Sequence, residues 1–173
     1  MFDLLHPHFK NLNCVFIFDN DTHKVYIHYM SIKSIPDNRY IATNCACMKL
    51  RSATRLVTRA YDKALQPVGL KATQYTLLIA VSQAQPVSIS RLADLMSMER
   101  TTLTRNLKPL EQEGLVITTP GHGRTVEVSL RRKGLALLKK AAPLWKCAQD
   151  DFVGELGERR WEDLSQILNS VTE

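Results

Sequence analysis

Arg100, Thr101, Thr102, Thr104, Arg105 and Lys108 fall within a single stretch of nine residues. On a helix, Thr101, Arg105 and Lys108, at i, i+4 and i+7, share one stripe. A guanidinium presents paired donors that match the guanine edge, and a threonine meets a base edge or the thymine methyl. Thr and Lys also suit phosphate oxygens. Further along, Pro120-Gly121-His122-Gly123-Arg124 places His122 and Arg124 among glycines. A cationic tip of this kind fits a minor groove, whose negative potential attracts arginine. The chemistry within reach is therefore contact with a duplex.

Other reactive residues are sparser. Cys14, Cys45, Cys47 and Cys147 form no Cys-x-x-Cys pair, so neither a zinc site nor a disulfide framework is indicated. Cys45 and Cys47 sit near the start of a helical stretch. Residues two apart on a helix point about 200° apart, a poor arrangement for a mutual disulfide. A thiol in the first turn of a helix is favoured as thiolate by the helix N-terminus, and Lys49 and Arg51 add positive potential nearby. The plainer reading is that these cysteines behave as small hydrophobes. The five histidines are scattered and show no metal-ligand spacing. There is no phosphate-cradling glycine loop, no Gly-x-Ser-x-Gly and no carboxylate pair spaced to a base. These absences point away from an enzyme and from any cofactor.

The elements that must carry the cationic stretch follow from periodicity. Leu50, Ala53, Thr54, Val57, Tyr61, Ala64 and Leu65 recur at three- and four-residue steps, which predicts a first helix with Asn44 as N-cap and Pro67 and Gly69 as its end. A second helix spans about 72–83, with Tyr75, Leu78, Ile79 and Ser82 on one side. Ser88 caps a third, about 89–96, which buries Leu92, Ala93 and Met96. A fourth, about 99–113, buries Leu103, Leu107 and Leu110 and stops at Gly114. The period then changes to two. Residues 115–119 and 125–130 read as the strands of a hairpin with Arg124 at its tip. Helical pattern returns near Arg132, with Leu135, Leu138, Ala142 and Trp145 as a stripe and a kink expected at Pro143. A last helix runs about 158–171. Helix, turn, helix and basic hairpin in this order make a winged helix-turn-helix: a mainly α fold with a small β-hairpin wing.

Residues 1–43 differ. Residues 14–18 and 24–29 read as a weak hairpin around Asp19-Asn20-Asp21, and 34–44 as a linker. This segment is either a real appendage or non-native upstream sequence from an early start codon, and the second explanation is preferred because nothing downstream needs it. The chain has 173 residues and a net charge of +6. Residues 45–63 carry five basic and one acidic residue, and 88–134 carry eight and five, whereas the last 39 carry five and seven. The excess positive charge thus coincides with the first helix and the winged region. No run of about 20 apolar residues offers a membrane span, and no signal peptide is evident. A cytoplasmic location is expected.

The runs Leu92-Ala93-Asp94-Leu95-Met96, Glu99 to Glu111 and Glu113-Gly114-Leu115-Val116 resemble the multiple-antibiotic-resistance regulator (MarR) family. The resemblance covers about residue 44 to the C-terminus. It implies a cytoplasmic homodimer that represses promoters by binding a pseudo-palindromic duplex. The DNA-binding part lies at about 72–130 and the dimerisation helices at about 44–66 and 132–172. Three departures stand out. The wing keeps Arg124 but lacks the family's bracing Asp, so it is expected to be looser. Arg131 stands where a capping Thr is usual, leaving Ser129 as the nearest cap. Pro109 lies inside the fourth helix and should bend its C-terminal end.

Two sensing modes follow from the same resemblance. In the organic-hydroperoxide-resistance branch a reactive Cys opens a Cys-x-x-Leu run, matched by Cys47-Met48-Lys49-Leu50, and a Tyr that bonds the thiolate is matched by Tyr61. A second Tyr of that branch would fall at Ala72 and is missing. Tyr61 lies almost four turns beyond Cys47, so their bond would have to cross the dimer. Cys147 is a candidate resolving thiol. The other mode is a small aromatic or phenolic anion between the first, second and fifth helices, near Met48, Arg55, Tyr61, Tyr75 and Trp145. The competing class is a winged-helix module that binds another protein and not DNA. The cationic fourth helix speaks against it.

Overall fold

Leu103, Leu107 and Leu110 return to one side of any helix that contains them, and each is at most 2% exposed. Burying each side chain contributes about 1.5–3 kcal/mol, so this stripe fixes which face of the cationic helix turns outward. The computed structural model describes residues 14–19, 24–29 and 36–172. The elements in chain order are β1 (Cys14–Asp19), β2 (Lys24–Tyr29), α1 (Asn38–Asn44), α2 (Ala46–Leu65), a 3-10 turn (Gln66–Val68), α3 (Ala72–Ala84), β3 (Val87–Ser88), α4 (Ile89–Leu95), α5 (Arg100–Gln112), β4 (Val116–Pro120), β5 (Val126–Leu130), α6 (Arg132–Leu156) and α7 (Glu158–Thr172). Backbone contacts divide the chain into two units, residues 1–49 with 162–173, and residues 50–161.

In the first unit β1 and β2 pair antiparallel, with Cys14 opposite Tyr29 and Asp19 opposite Lys24. The expected turn at Asn20 and Asp21 lies outside the described residues, as do His6, His8 and His23. The linker expected over 34–44 is instead helical in its second part. Asp37 caps α1 by accepting the Tyr40 backbone N–H at 2.6 Å. Asn44 is not an N-cap: its side-chain amide donates to the Tyr40 carbonyl at 2.9 Å, inside the last turn of α1. Cys45 adopts an extended conformation, φ −65° and ψ 111°, and this one residue separates α1 from α2.

The second unit holds the core. α3 buries Tyr75, Leu77, Leu78 and Val81, whereas Ile79 and Ser82 are half-buried. α3 contacts α4, α5, α6 and β5, so a one-sided stripe understates its burial. Ser88 caps α4, accepting the Arg91 N–H at 3.2 Å, and Leu92 and Ala93 are buried as expected. The hairpin β4–β5 gains a third strand, in the order β3-β5-β4, with Val87 opposite Val128. Two residues are too few for a periodic signal.

Gly114 ends α5 with φ +69°. The Leu115 N–H then reaches the Leu110 carbonyl at 2.8 Å, and Gly114 reaches Glu111 at 2.9 Å, the closing bonds of a helix whose next residue is left-handed. α6 continues from Arg132 to Leu156 as one helix that includes Pro143. Its N-cap is Arg131, without a side-chain bond, and not Ser129. Gly134, Leu138 and Ala141 face the core, whereas Leu135, Ala142 and Trp145 of the expected stripe are exposed. Among the described residues no helix is long and apolar enough to cross a membrane.

Candidate nucleic-acid interface

The turn between α4 and α5 aims the cationic helix. Ser97 sits there at φ +49°, in the left-handed region. The Met98 N–H bonds the Ala93 carbonyl at 2.9 Å and the Ser97 N–H bonds Asp94 at 3.0 Å, so the turn is fastened to the end of α4. Arg100, Thr101, Thr104, Arg105 and Lys108 are all exposed, opposite or beside the leucine stripe. Thr102 is half-buried. The Thr104 hydroxyl donates to the Arg100 carbonyl at 2.8 Å, which leaves its lone pairs outward. Thr101, Thr104, Arg105 and Lys108 share a groove of about 490 Å³ with Ile89, Leu107, Glu111 and Thr118. The structure therefore brings four of the six expected residues to one surface.

Sequence spacing did not find a second depression, of about 230 Å³, where Arg105 and Asn106 meet Lys71, Thr73 and Gln74 at the start of α3. Lys71 adds a positive charge beside Arg105 from thirty-four positions away in sequence, a proximity that only the fold creates.

His122 and Arg124 are exposed at the wing tip. The wing lacks the acid that the resemblance calls for, and Thr125 closes the tip through bonds to the backbone without engaging the Arg124 side chain. The Gly121 N–H bonds the Thr125 carbonyl at 2.9 Å, while the Thr125 hydroxyl and amide donate to the His122 carbonyl at 2.8 and 3.4 Å. Among the described residues the Arg124 side chain makes no hydrogen bond or ion pair, so its guanidinium is available to a ligand. Pro109 sits within α5 beyond the Thr101–Arg105 stretch, and the N-terminal half is regular.

The candidate sensing residues divide. Tyr61, Tyr75 and Trp145 line a cleft of about 200 Å³ with Val57, Thr58, Leu65, Ala72 and Thr76. The Tyr75 and Trp145 rings stack, centroids 6.4 Å apart. Burial holds the phenols of Tyr61 and Tyr75 above the ordinary tyrosine range. Arg55 does not line this cleft; it is exposed on α2. Met48 belongs to the other unit. The lining contains no cation, and Asp62 beside it accepts the Ala72 N–H at 2.7 Å, so the start of α3 is already capped. The Tyr61 hydroxyl donates to Gln149 Oε1 of α6 at 2.5 Å. That bond occupies the proton which the resemblance assigns to a Cys47 thiolate. Cys47 is exposed in the first turn of α2, Cys45 is half-buried, and Cys147 is exposed on α6. Among the described residues no three His, Cys, Asp or Glu side chains gather to hold a metal.

Comparison with known proteins agrees with this layout. The MarR family model matches residues 68–125, from the end of the 3-10 turn to the wing tip. The organic hydroperoxide resistance transcriptional regulator of Bacillus subtilis (strain 168) is 25% identical over 130 residues, 74% of this chain and 85% of that protein. The M. tuberculosis transcriptional regulator MosR, in a crystal structure with DNA, is 38% identical with a TM-score of 0.66, covering 73% of this chain and 96% of that one. A mutant MarR from E. coli complexed with operator DNA shares the fold, with a TM-score of 0.70 at 20% identity over 78% of this chain and 99% of that one. With the winged helix-turn-helix in place and a relative above one-third identity matched over nearly its whole length, the chain belongs to the MarR family.

Proposed function

We propose that this chain reads a pseudo-palindromic duplex as a cytoplasmic homodimer, each copy laying α5 in the major groove and the wing tip in the adjacent minor groove. It is a DNA-binding transcriptional regulator. The observation that carries the geometry is the exposed set Thr101, Thr104, Arg105 and Lys108 opposite the buried leucines of α5, with the unpaired Arg124 at the wing. Arg105 suits a guanine edge, and Lys108 and Thr104 suit phosphates. Arg100 and Thr101 lie in the first turn, the part of such a helix that meets base edges. The test is retention of genomic fragments by the purified protein, followed by affinity at several salt concentrations. DNA binding predicts a linear fall of log K with log salt. A protein-docking winged helix would retain no fragment.

The signal that releases the duplex is read here as a small aromatic molecule in the cleft of Tyr61, Tyr75 and Trp145. The absence of a cation from the lining favours a neutral ring over the phenolic anion expected from sequence. A second reading, peroxide oxidation of Cys47, draws support from the exposure of that thiol and from the B. subtilis relative's name. Release by organic hydroperoxide that Cys47→Ser abolishes would favour the thiol. Release by neutral aromatics that Tyr75→Ala abolishes would favour the cleft.

A further inference from the structure

Glu111 occupies a place where an acid is unfavourable. It lines the same groove as Thr101, Thr104, Arg105 and Lys108, and a carboxylate there faces the phosphates that this surface is proposed to meet. Its side chain is nonetheless engaged. Oε1 of Glu111 accepts the Thr118 backbone N–H at 3.3 Å and, in a short contact, the Thr118 hydroxyl. α5 and β4 are already joined through the turn at Gly114, where the Leu115 N–H bonds Leu110. Thr118 lies beyond that turn, so the Glu111 bond is a second fastening, farther out along the strand. Two fastenings at different points fix an angle where one leaves a hinge. Thr118 pairs with Val128 of β5, and the two strands lead outward to the tip that carries His122 and Arg124.

Resting on the DNA-binding reading above, we propose that Glu111 is a positioning residue of the interface: its carboxylate clamps Thr118 and so sets where the wing cations stand relative to Arg105. The required property is an acceptor at the reach of a glutamate, not a negative charge. Charge and reach can be separated by substitution. Glu111→Gln keeps the acceptor and its reach and removes the charge. Glu111→Asp keeps the charge and withdraws the acceptor by one methylene. Glu111→Ala removes both, and Thr118→Val removes one of the donors.

The experiment measures affinity for a retained genomic fragment together with amide exchange at Thr118 in the free protein. Losing a hydrogen bond that orients a contact is expected to cost about tenfold in affinity. Glu111→Ala and Glu111→Asp should each lose about that factor and speed exchange at Thr118, whereas Glu111→Gln should bind at least as tightly as the parent with exchange unchanged. Because the clamp acts through the wing, the loss should vanish in an Arg124→Ala background. Combining Glu111→Ala with Thr118→Val should cost no more than Glu111→Ala alone, because Thr118→Val removes only one of the two bonds that Glu111→Ala removes. The proposal is overturned if Glu111→Ala and Glu111→Gln both bind more tightly while Glu111→Asp behaves as the parent, since charge alone would then govern. It is also overturned if the loss persists without Arg124. Failure of the parent protein to retain any fragment would sink the DNA-binding reading instead, and the exchange rates at Thr118 would still report whether the clamp exists.

Discussion

Arg105 and Lys108 differ by one helical turn, and they are expected to differ in kind. A bidentate guanidinium discriminates among bases, so Arg105→Ala should cost about 1–3 kcal/mol on a specific site and relax the preference at one position. An ammonium on a phosphate carries no sequence information. Lys108→Ala should weaken specific and non-specific duplexes alike and lower the salt slope by about one. Titrations of both variants at four salt concentrations, on matched and scrambled duplexes, separate the two roles. Equal losses on both duplexes for Arg105→Ala would remove it from base reading. The tyrosines of the cleft make a different prediction. Tyr61 and Tyr75 have phenols raised by burial from 10.0. Folding therefore favours their protonated forms, and that stability is whole below pH 10 and is lost as pH rises above it. Urea unfolding at pH 9, 10 and 11 should show a decline that is shallower in Tyr75→Phe.

At the scale of elements, two glycines of one helix should respond in opposite directions. A Cβ on Gly134 would stand 2.2 Å from the Leu115 carbonyl oxygen, and that carbonyl already accepts the Arg131 N–H at 2.9 Å. Backbone sits on both sides of this contact, so Gly134→Ala should destabilise by about 1–3 kcal/mol, the usual cost of overpacking. Gly154, also in α6, has nothing within 4 Å of the same atom, and Gly154→Ala should stabilise by about 1 kcal/mol through helix propensity alone. Thermal unfolding of the two variants measures both, and a stabilised Gly134→Ala would mean that α6 is not locked to the root of the wing. This contact also shows where the sequence stops being legible. Leucines at steps of three and four announced α5, and the change of period announced the hairpin, because both are local patterns. β3 was invisible at two residues, and α1 was hidden by a short polar stretch that only Asp37 organises. The candidate interface was legible where its exposed cations share one helix, at Arg105 and Lys108. The partners supplied by distant chain were not: Lys71 beside Arg105, Gln149 on Tyr61, and the absence of Arg55 from the cleft.

One copy of this chain carries one α5, whereas a pseudo-palindrome offers two half-sites about one duplex turn apart, roughly 34 Å. On the reading proposed above, specific binding depends on a second copy, and each unit has exposed apolar side chains that are candidates for meeting it. In the unit of residues 50–161, Leu50 and Leu56 of α2 are 51% and 62% exposed. In the other unit, Ile167 and Val171 of α7 are 61% and 48% exposed. Exposed apolar side chains clustered on a helix in this way are expected to form an association surface. A carboxylate at Leu56 or Ile167 would be desolvated without a partner in such a surface, whereas in a monomer it would remain in water at little cost. The double variant Leu56→Glu, Ile167→Glu should therefore sediment as a monomer with unchanged helix content. It should lose most of its affinity for a full operator and keep the weak, strongly salt-dependent binding of a single winged helix. Placing the two half-sites half a turn further apart should weaken the parent protein steeply and leave the monomer unaffected, because only a rigid pair of helices senses their separation. A double variant that still sediments as a dimer, or a parent indifferent to half-site spacing, would place the association surface elsewhere on the molecule.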